Sequence, residues 1–314
     1  MMQKTAFVFP GQGSQSVGML ENIALQHPII QETFKEASEV LSYDLWALSA
    51  QGPAEKLNQT EYTQPALLTA GVAMWRLVEI LRGQAFISFL AGHSLGEYTA
   101  LVCSEALSFE DAVRLVALRG RLMQEAVKEG EGAMAAILGL ENDAVRVICE
   151  KMTTTTETVA PANYNTIGQV VISGHKTAVL GAIERAKAAG AKRALLLPVS
   201  VPAHCLLMKP ATVRLQEALA EIPFKLPRIP VIHNVDVAVH GSIDEIRQVL
   251  VEQLYEPVRW VETIQLMASK GVKTVYECGP GAVLSGLNKR IDTTLITESL
   301  SLSLSKSKGE ALCP

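Results

Sequence analysis

Gly92-His93-Ser94-Leu95-Gly96 is set between an apolar run over residues 85–91 and a stretch of helical spacing that reaches Cys103. A short apolar run closed by turn residues reads as a buried strand. A serine flanked by glycines at such a junction fits GxSxG, the strand–turn–helix nucleophile elbow. The glycines are needed because the turn is tight and neighbouring backbone passes close by. The serine Oγ is left exposed at a helix N-terminus, whose free N–H groups favour developing negative charge. In a chain with 22 glycines the five-residue pattern can arise by chance, so its weight comes from the flanking strand and helix.

The rest of the chain repeats the alternation that such an elbow needs. Residues 5–10 form an apolar run that ends in Gly11-Gln12-Gly13-Ser14-Gln15. Helical spacing covers 27–48, 63–81 and 109–128, the last opened by Glu110-Asp111, a pair that suits a helix N-terminus. Between 130 and 199 the rhythm changes. Strands are predicted at 133–140, 158–163, 168–173 and 192–198, with helices at 141–152 and 175–189. The order is β-α-β-β-α-β, the split ferredoxin-like unit. Beyond it, helices at 206–222, 242–254, 258–270 and 282–290 alternate with strands at 230–234 and 274–277. Ser242 with Glu245 forms a capping box. Strands alternating with helices predict an α/β fold with a mostly parallel sheet covered on both faces. The expected division is a discontinuous core over 1–129 and 200–297, a ferredoxin-like subdomain over 130–199 and a tail over 298–314. The Ser/Leu alternation at 298–305 is read as an exposed, flexible terminus, with an edge strand as the alternative.

Composition narrows the function classes. The 28 basic and 32 acidic residues give a net charge of −4, which is not the basic balance of a nucleic-acid binder. Five cysteines, an odd number with no CxxC spacing, argue against a disulfide framework or a zinc site on cysteine pairs. No stretch approaches the roughly 20 apolar residues that span a bilayer, and the first ten residues carry no signal-peptide pattern. A cytoplasmic protein with no metal is the expectation.

A serine needs a base to become a nucleophile, and histidine is the usual one. Of six histidines, His27, His175 and His240 fall at helix starts or in a polar turn. His93 neighbours Ser94 on the elbow, so its side chain is expected to point elsewhere. His233 ends a strand. His204 lies in a loop at a strand end, where α/β proteins place chemistry. Periodicity ranks His204 and His233 nearly equal. The loop Gly11–Ser14 lacks both GxGxxG and GK[ST], which weakens a phosphate cradle. An oxyanion site of backbone N–H groups is the alternative. Cys205, beside His204, reads as a small buried hydrophobe, and Cys278 as structural.

Five motifs occur in one order: Gly11-Gln12-Gly13-Ser14-Gln15, Gly92-His93-Ser94-Leu95-Gly96-Glu97, Ala117-Leu118-Arg119-Gly120, Val201-Pro202-Ala203-His204 and Gln253-Leu254-Tyr255-Glu256-Pro257-Val258. Together they resemble the malonyl-CoA:acyl carrier protein transacylase family of bacterial fatty acid synthesis, over about residues 5–290. The acyltransferase domains of polyketide synthases are more distant relatives. The resemblance implies a hydrolase-like α/β core with a ferredoxin-like insertion. It implies Ser94 as nucleophile, His204 as base and Gln253, through its backbone carbonyl, as the group that orients the imidazole. It implies the N–H groups of Gln12 and Leu95 as oxyanion donors and Arg119 as the partner of the malonyl carboxylate. A guanidinium offers that carboxylate two parallel hydrogen bonds. Without the resemblance, Arg119 reads as a surface arginine on a helix that also carries Arg114 and Arg121. Met123, Asn165 and His93 are further candidates around the acyl group, and Met123 reads equally as core. Malonyl-CoA and acyl carrier protein are the implied substrates, with no resident cofactor, a monomeric enzyme and no nucleic-acid or membrane partner. Lys192, Arg193, Lys209, Arg214, Lys289 and Arg290 are candidates for a basic patch that steers the carrier. A serine thioesterase remains the alternative reading, and a non-catalytic acyl-CoA sensor a third.

Overall fold

A computed structural model describes residues 4–82, 87–199 and 201–306. Strand β1 (Lys4–Phe9) shows why the apolar runs become central strands. Side chains alternate across a strand. Phe7 and Phe9 enter one core cluster with Leu90 and Trp75, while Ala6 and Val8 enter a second with Ile232 and Trp260. A strand buried on both faces must be sandwiched between helices. Strands β2 (Ile87–Gly92), β7 (Val231–Ile232), β8 (Val272–Glu277) and β9 (Ile296–Ser299) join it in the order β7-β2-β1-β8-β9. Every pairing in this sheet is parallel. The helices Thr60–Arg82 and Phe109–Glu125 lie on the Phe7 face, and Trp260–Ser269 and Val283–Ile291 on the Ala6 face.

The second sheet holds β3 (Gly132–Leu138), β4 (Val159–Thr166), β5 (Gln169–His175) and β6 (Arg193–Leu196) in the order β4-β5-β3-β6, all antiparallel. Strands 2-3-1-4 of a βαββαβ unit in that order are the ferredoxin-like arrangement. Ala135, Ile137, Val170 and Ile172 pack under the helices Asn142–Met152 and Lys176–Ala188. The alternate residues Met134, Ala136, Asn163, Asn165, Gln169 and Val171 line a cleft against the parallel sheet's carboxyl end. The Tyr164 N–H donates to the Val258 carbonyl and the Val258 N–H to the Ala162 carbonyl, both at 2.9 Å, tying β4 to the core.

Three expectations change. The helix expected over 27–48 breaks at Ser42, which is left-handed, and restarts at Leu45 because the Asp44 side chain accepts from the Ala47 N–H at 2.8 Å. The stretch expected as one helix over 206–222 is a 3₁₀ turn, Leu206–Ala211, followed by the α-helix Thr212–Glu221, with Pro210 inside the turn. The expected flexible tail instead supplies the edge strand β9, and the Ser/Leu alternation beyond it is the helix Leu300–Lys306. Leu300 and Leu304 are 1% and 7% exposed while Leu302 is 47% exposed, a helical face rather than a strand's. The start of the second apolar run (residues 85 and 86), Ser200 and residues 307–314 with Cys313 lie outside the described residues.

Candidate active site

The elbow forms as its residues require. Ser94 sits at φ 52°, a left-handed conformation that costs a non-glycine residue about 1–3 kcal/mol and persists only where surroundings over-determine it. A Cβ on Gly92 would lie 1.7 Å from the Gly96 carbonyl carbon, and one on Gly96 would lie 2.0 Å from the Phe9 carbonyl oxygen, so neither position can carry a side chain. Asn234, two residues beyond β7, pins the turn. Its Oδ1 accepts from the Ser94 N–H at 2.7 Å and its Nδ2 donates to the Gly92 carbonyl at 2.6 Å.

His204, also left-handed at φ 60°, brings its Nε2 to 2.8 Å from Ser94 Oγ. Its Nδ1 lies 2.7 Å from the backbone carbonyl of Gln253. A carbonyl can only accept, so Nδ1 carries the proton and Nε2 presents its lone pair to the serine hydroxyl. Burial, reinforced by the charge of Arg119, lowers the His204 pKa to about 3. The imidazole is therefore neutral at physiological pH, the form a general base needs. His233, ranked level with His204 from sequence, is spent elsewhere: its Nδ1 donates to Glu97 Oε1 at 2.6 Å.

Arg119 is 1% exposed, a burial rare for arginine without a carboxylate partner. Its Nη1 donates to Gln64 Oε1 and its Nη2 to Gln253 Oε1, each at 2.9 Å, while Nε has no partner. The guanidinium lies 5.3 Å from the centre of the Tyr98 ring, and burial lowers its pKa from the ordinary value. Neutral amides hold it in place, and no carboxylate pairs with it directly. The surface-arginine reading is thereby corrected.

One cleft of about 280 Å³ gathers Ser94, His204, Arg119, Gln12, Leu95, Met123, Asn165 and His93. Leu95 precedes the first turn of the helix Gly96–Cys103, where N–H groups lack intrahelical acceptors. The Gln12 side chain reaches Thr60 Oγ1 at 3.4 Å. His93 lines the cleft rather than turning from it, with Nε2 2.8 Å from Asn165 Oδ1. Gln64 Nε2 donates to Met123 Sδ at 3.4 Å. Gln64 and Asn234 escaped the sequence reading: a glutamine in the second turn of a helix and an asparagine two residues beyond a short strand carry no local signature. Glu97 stood inside the quoted elbow motif without a role.

Cys205 and Cys278 are buried, with thiols near the Pro202 and Gly71 carbonyls at 3.2 and 3.7 Å. The six basic residues singled out for carrier docking are all exposed, but Arg214 is paired with Glu125 at 2.8 Å and Lys209 lies over the Tyr255 ring. No group of three or more potential metal ligands occurs among the described residues.

A family model described as an acyl transferase domain matches residues 6–295. The malonyl CoA-acyl carrier protein transacylase of Escherichia coli (strain K12) is 56% identical over 299 residues, covering 95% of this chain and 96% of that protein. The one from Bacillus subtilis (strain 168) is 47% identical over 300 residues, covering 96% and 94%. Among solved structures, the transacylase from Coxiella burnetii superposes with a TM-score of 0.94 at 53% identity, covering 97% of this chain and 96% of that one. A malonyl-transacylase solved in complex with its type II PKS acyl-carrier protein superposes with a TM-score of 0.93 at 53% identity, covering 96% and 97%.

Proposed function

The chain belongs to the malonyl CoA-acyl carrier protein transacylase family, and from that premise we propose how its own residues move a malonyl group from malonyl-CoA to acyl carrier protein for fatty acid synthesis. Ser94 Oγ attacks the thioester carbonyl while His204 Nε2 takes its proton. The N–H groups of Gln12 and Leu95 hold the oxyanion. The C–S bond then breaks, CoA leaves with the proton returned from His204, and malonyl remains as an ester on Ser94. The phosphopantetheine thiol of the carrier attacks that ester, giving its proton to His204. As the C–O bond breaks, His204 passes the proton back to Ser94 Oγ. Gln253 orients the imidazole through its carbonyl, a weaker partner than a carboxylate, and a thioester is reactive enough to be opened with it.

Arg119 binds the malonyl carboxylate, with Met123, Asn165 and His93 around it. An acyl group without a carboxylate leaves the buried guanidinium unpaired, so the site discriminates against acetyl. Every step falls to a group of this chain or to one of the two thioesters, and the reading calls for no resident cofactor. Residues 130–199 act as a subdomain that closes the cleft over the core formed by 1–129 and 200–297. No helix among the described residues is long and apolar enough to cross a membrane, and with two water-soluble substrates the reading places the enzyme in the cytoplasm.

The observation that carries the proposal is the 2.8 Å Ser94–His204 contact in the same cleft as a buried guanidinium held by two amides. Mass spectrometry of the intact protein after brief exposure to malonyl-CoA tests it. Malonyl should appear on the Ser94 peptide and move to a holo carrier's thiol when that is added. Rapid release of malonic acid without a carrier would make the enzyme a thioesterase instead.

A further inference from the structure

One buried carboxyl lies behind the reacting groups and touches neither substrate position. Glu97, in the first turn of the helix Gly96–Cys103, is 0% exposed, as are Asn234 and Gln253. Three donors converge on it. Oε1 accepts from His233 Nδ1 at 2.6 Å, and Oε2 accepts from the Asn234 N–H at 3.0 Å and from Gln253 Nε2 at 2.9 Å. Two of these three partners hold the catalytic pair. Asn234 grips the elbow on both sides of the nucleophile, through the Ser94 N–H and the Gly92 carbonyl. Gln253 donates from Nε2 to the Ser94 carbonyl at 3.0 Å as well, and its backbone carbonyl orients His204.

We propose that Glu97 is a positioning residue for both halves of the Ser94–His204 pair, a single clamp that fixes the nucleophile through Asn234 and the base through Gln253. This rests on the acyl-transfer reading above. The pair comes from segments 110 residues apart in sequence, and Ser94 stands in a strained conformation. Strain of that kind persists only where neighbours over-determine it. The clamp works by geometry. A glutamine at 97 keeps the reach and one acceptor oxygen for Asn234 and Gln253. Its amide then faces His233, which accommodates it by moving its proton to Nε2 and accepting at Nδ1. An aspartate keeps the charge but withdraws the carboxyl by one C–C bond, ~1.5 Å, and cannot reach both sides.

The test compares Glu97→Gln and Glu97→Asp in the full chain, with kcat expressed per Ser94 that accepts malonyl from malonyl-CoA. A misplacement of about 1 Å costs about a hundredfold in rate, so Glu97→Asp should lose about that much in kcat. The KM for malonyl-CoA should stay within about threefold, because the lost interaction orients the reacting groups rather than binding substrate. Glu97→Gln should stay within about tenfold of native. Native kcat in Glu97→Asp would make Glu97 merely structural, and a loss in Glu97→Gln as large as that in Glu97→Asp would mean that reach alone does not account for the effect; either overturns the proposal. Should Glu97→Asp fail to fold, Glu97→Met, which fills similar space without an acceptor, is read the same way: a kcat loss above tenfold at near-native KM supports the clamp, and native kcat overturns it. If the native chain itself transfers no malonyl to a carrier, the acyl-transfer reading falls; if it does and the variants match it, only the clamp falls.

Discussion

Acidifying the protein with and without its proposed base should expose the His204 environment directly. The imidazole is held at about 3 in the folded protein, by burial first and by the Arg119 charge second, against about 6.5 in an unfolded chain. Between those values the unfolded chain binds the proton and the folded one does not. Stability therefore rises with pH through this window. The His204 contribution is complete above 6.5 and is lost progressively as pH falls toward 3. Each pH unit below 6.5 removes about 1.36 kcal/mol, so at pH 4.5 the loss is about 2.7 kcal/mol. Titrating carboxylates add slopes of their own, but these are shared by a His204→Gln variant and cancel in the difference between the two proteins. Urea unfolding followed by tryptophan fluorescence at pH 7.5 and 4.5 gives both free energies. The stability difference, native minus His204→Gln, should fall by about 2.7 kcal/mol between those pH values. Adding Arg119→Met to both proteins should shrink that fall, because one of the causes of the low pKa is gone. A difference that does not change with pH would mean that the imidazole is already hydrated in the folded state, and the argument for a dry, neutral base would fail.

Arg119→Met should cut kcat/KM for malonyl-CoA by about 10²–10⁴, from two charge-assisted hydrogen bonds at about 1.5–3 kcal/mol each, and change acetyl-CoA by less than tenfold. An equal fall for both acyl groups, measured in competition, would separate Arg119 from carboxylate recognition. Gly96→Ala places a Cβ 2.0 Å from the Phe9 carbonyl oxygen, which belongs to the rigid central strand. It should lower the melting temperature sharply or yield insoluble protein, and a circular-dichroism melt that matches native would refute the close-approach argument.

What could be read from the sequence was what neighbouring residues write together. The elbow is strand, turn and helix in consecutive residues, and its glycines are forced by backbone contacts the turn itself creates. The βαββαβ order likewise follows from local runs, whereas the order of strands across the parallel sheet does not follow from the order of elements. The choice between His204 and His233 could not be read, because both fall near strand ends and only the packed structure shows His233 spent on Glu97. Gln64 was invisible for the same reason: its role is to hold a guanidinium 55 positions away in sequence. The Ser/Leu tail misled for a different reason. An alternation of period two also repeats at i and i+4, so Leu300 and Leu304 satisfy a helix face while Leu302 is left outside.

The absence of an acidic partner on His204 follows from the presence of Arg119. Gln253 serves both residues at once, its backbone carbonyl on the imidazole and its Oε1 on the guanidinium. A carboxylate in that position would orient the imidazole better, but it would also lie within reach of Arg119 and take the guanidinium into an internal ion pair. Malonyl would then have to displace that carboxylate before it could be recognised. Neutral amides from Gln64 and Gln253 fix the guanidinium's direction and leave its charge for the substrate. The guanidinium charge also lowers the His204 pKa, and a bound malonyl carboxylate offsets it. The base is thus strengthened by the same carboxylate that the site selects, so that discrimination between acyl groups extends from binding into the proton transfer.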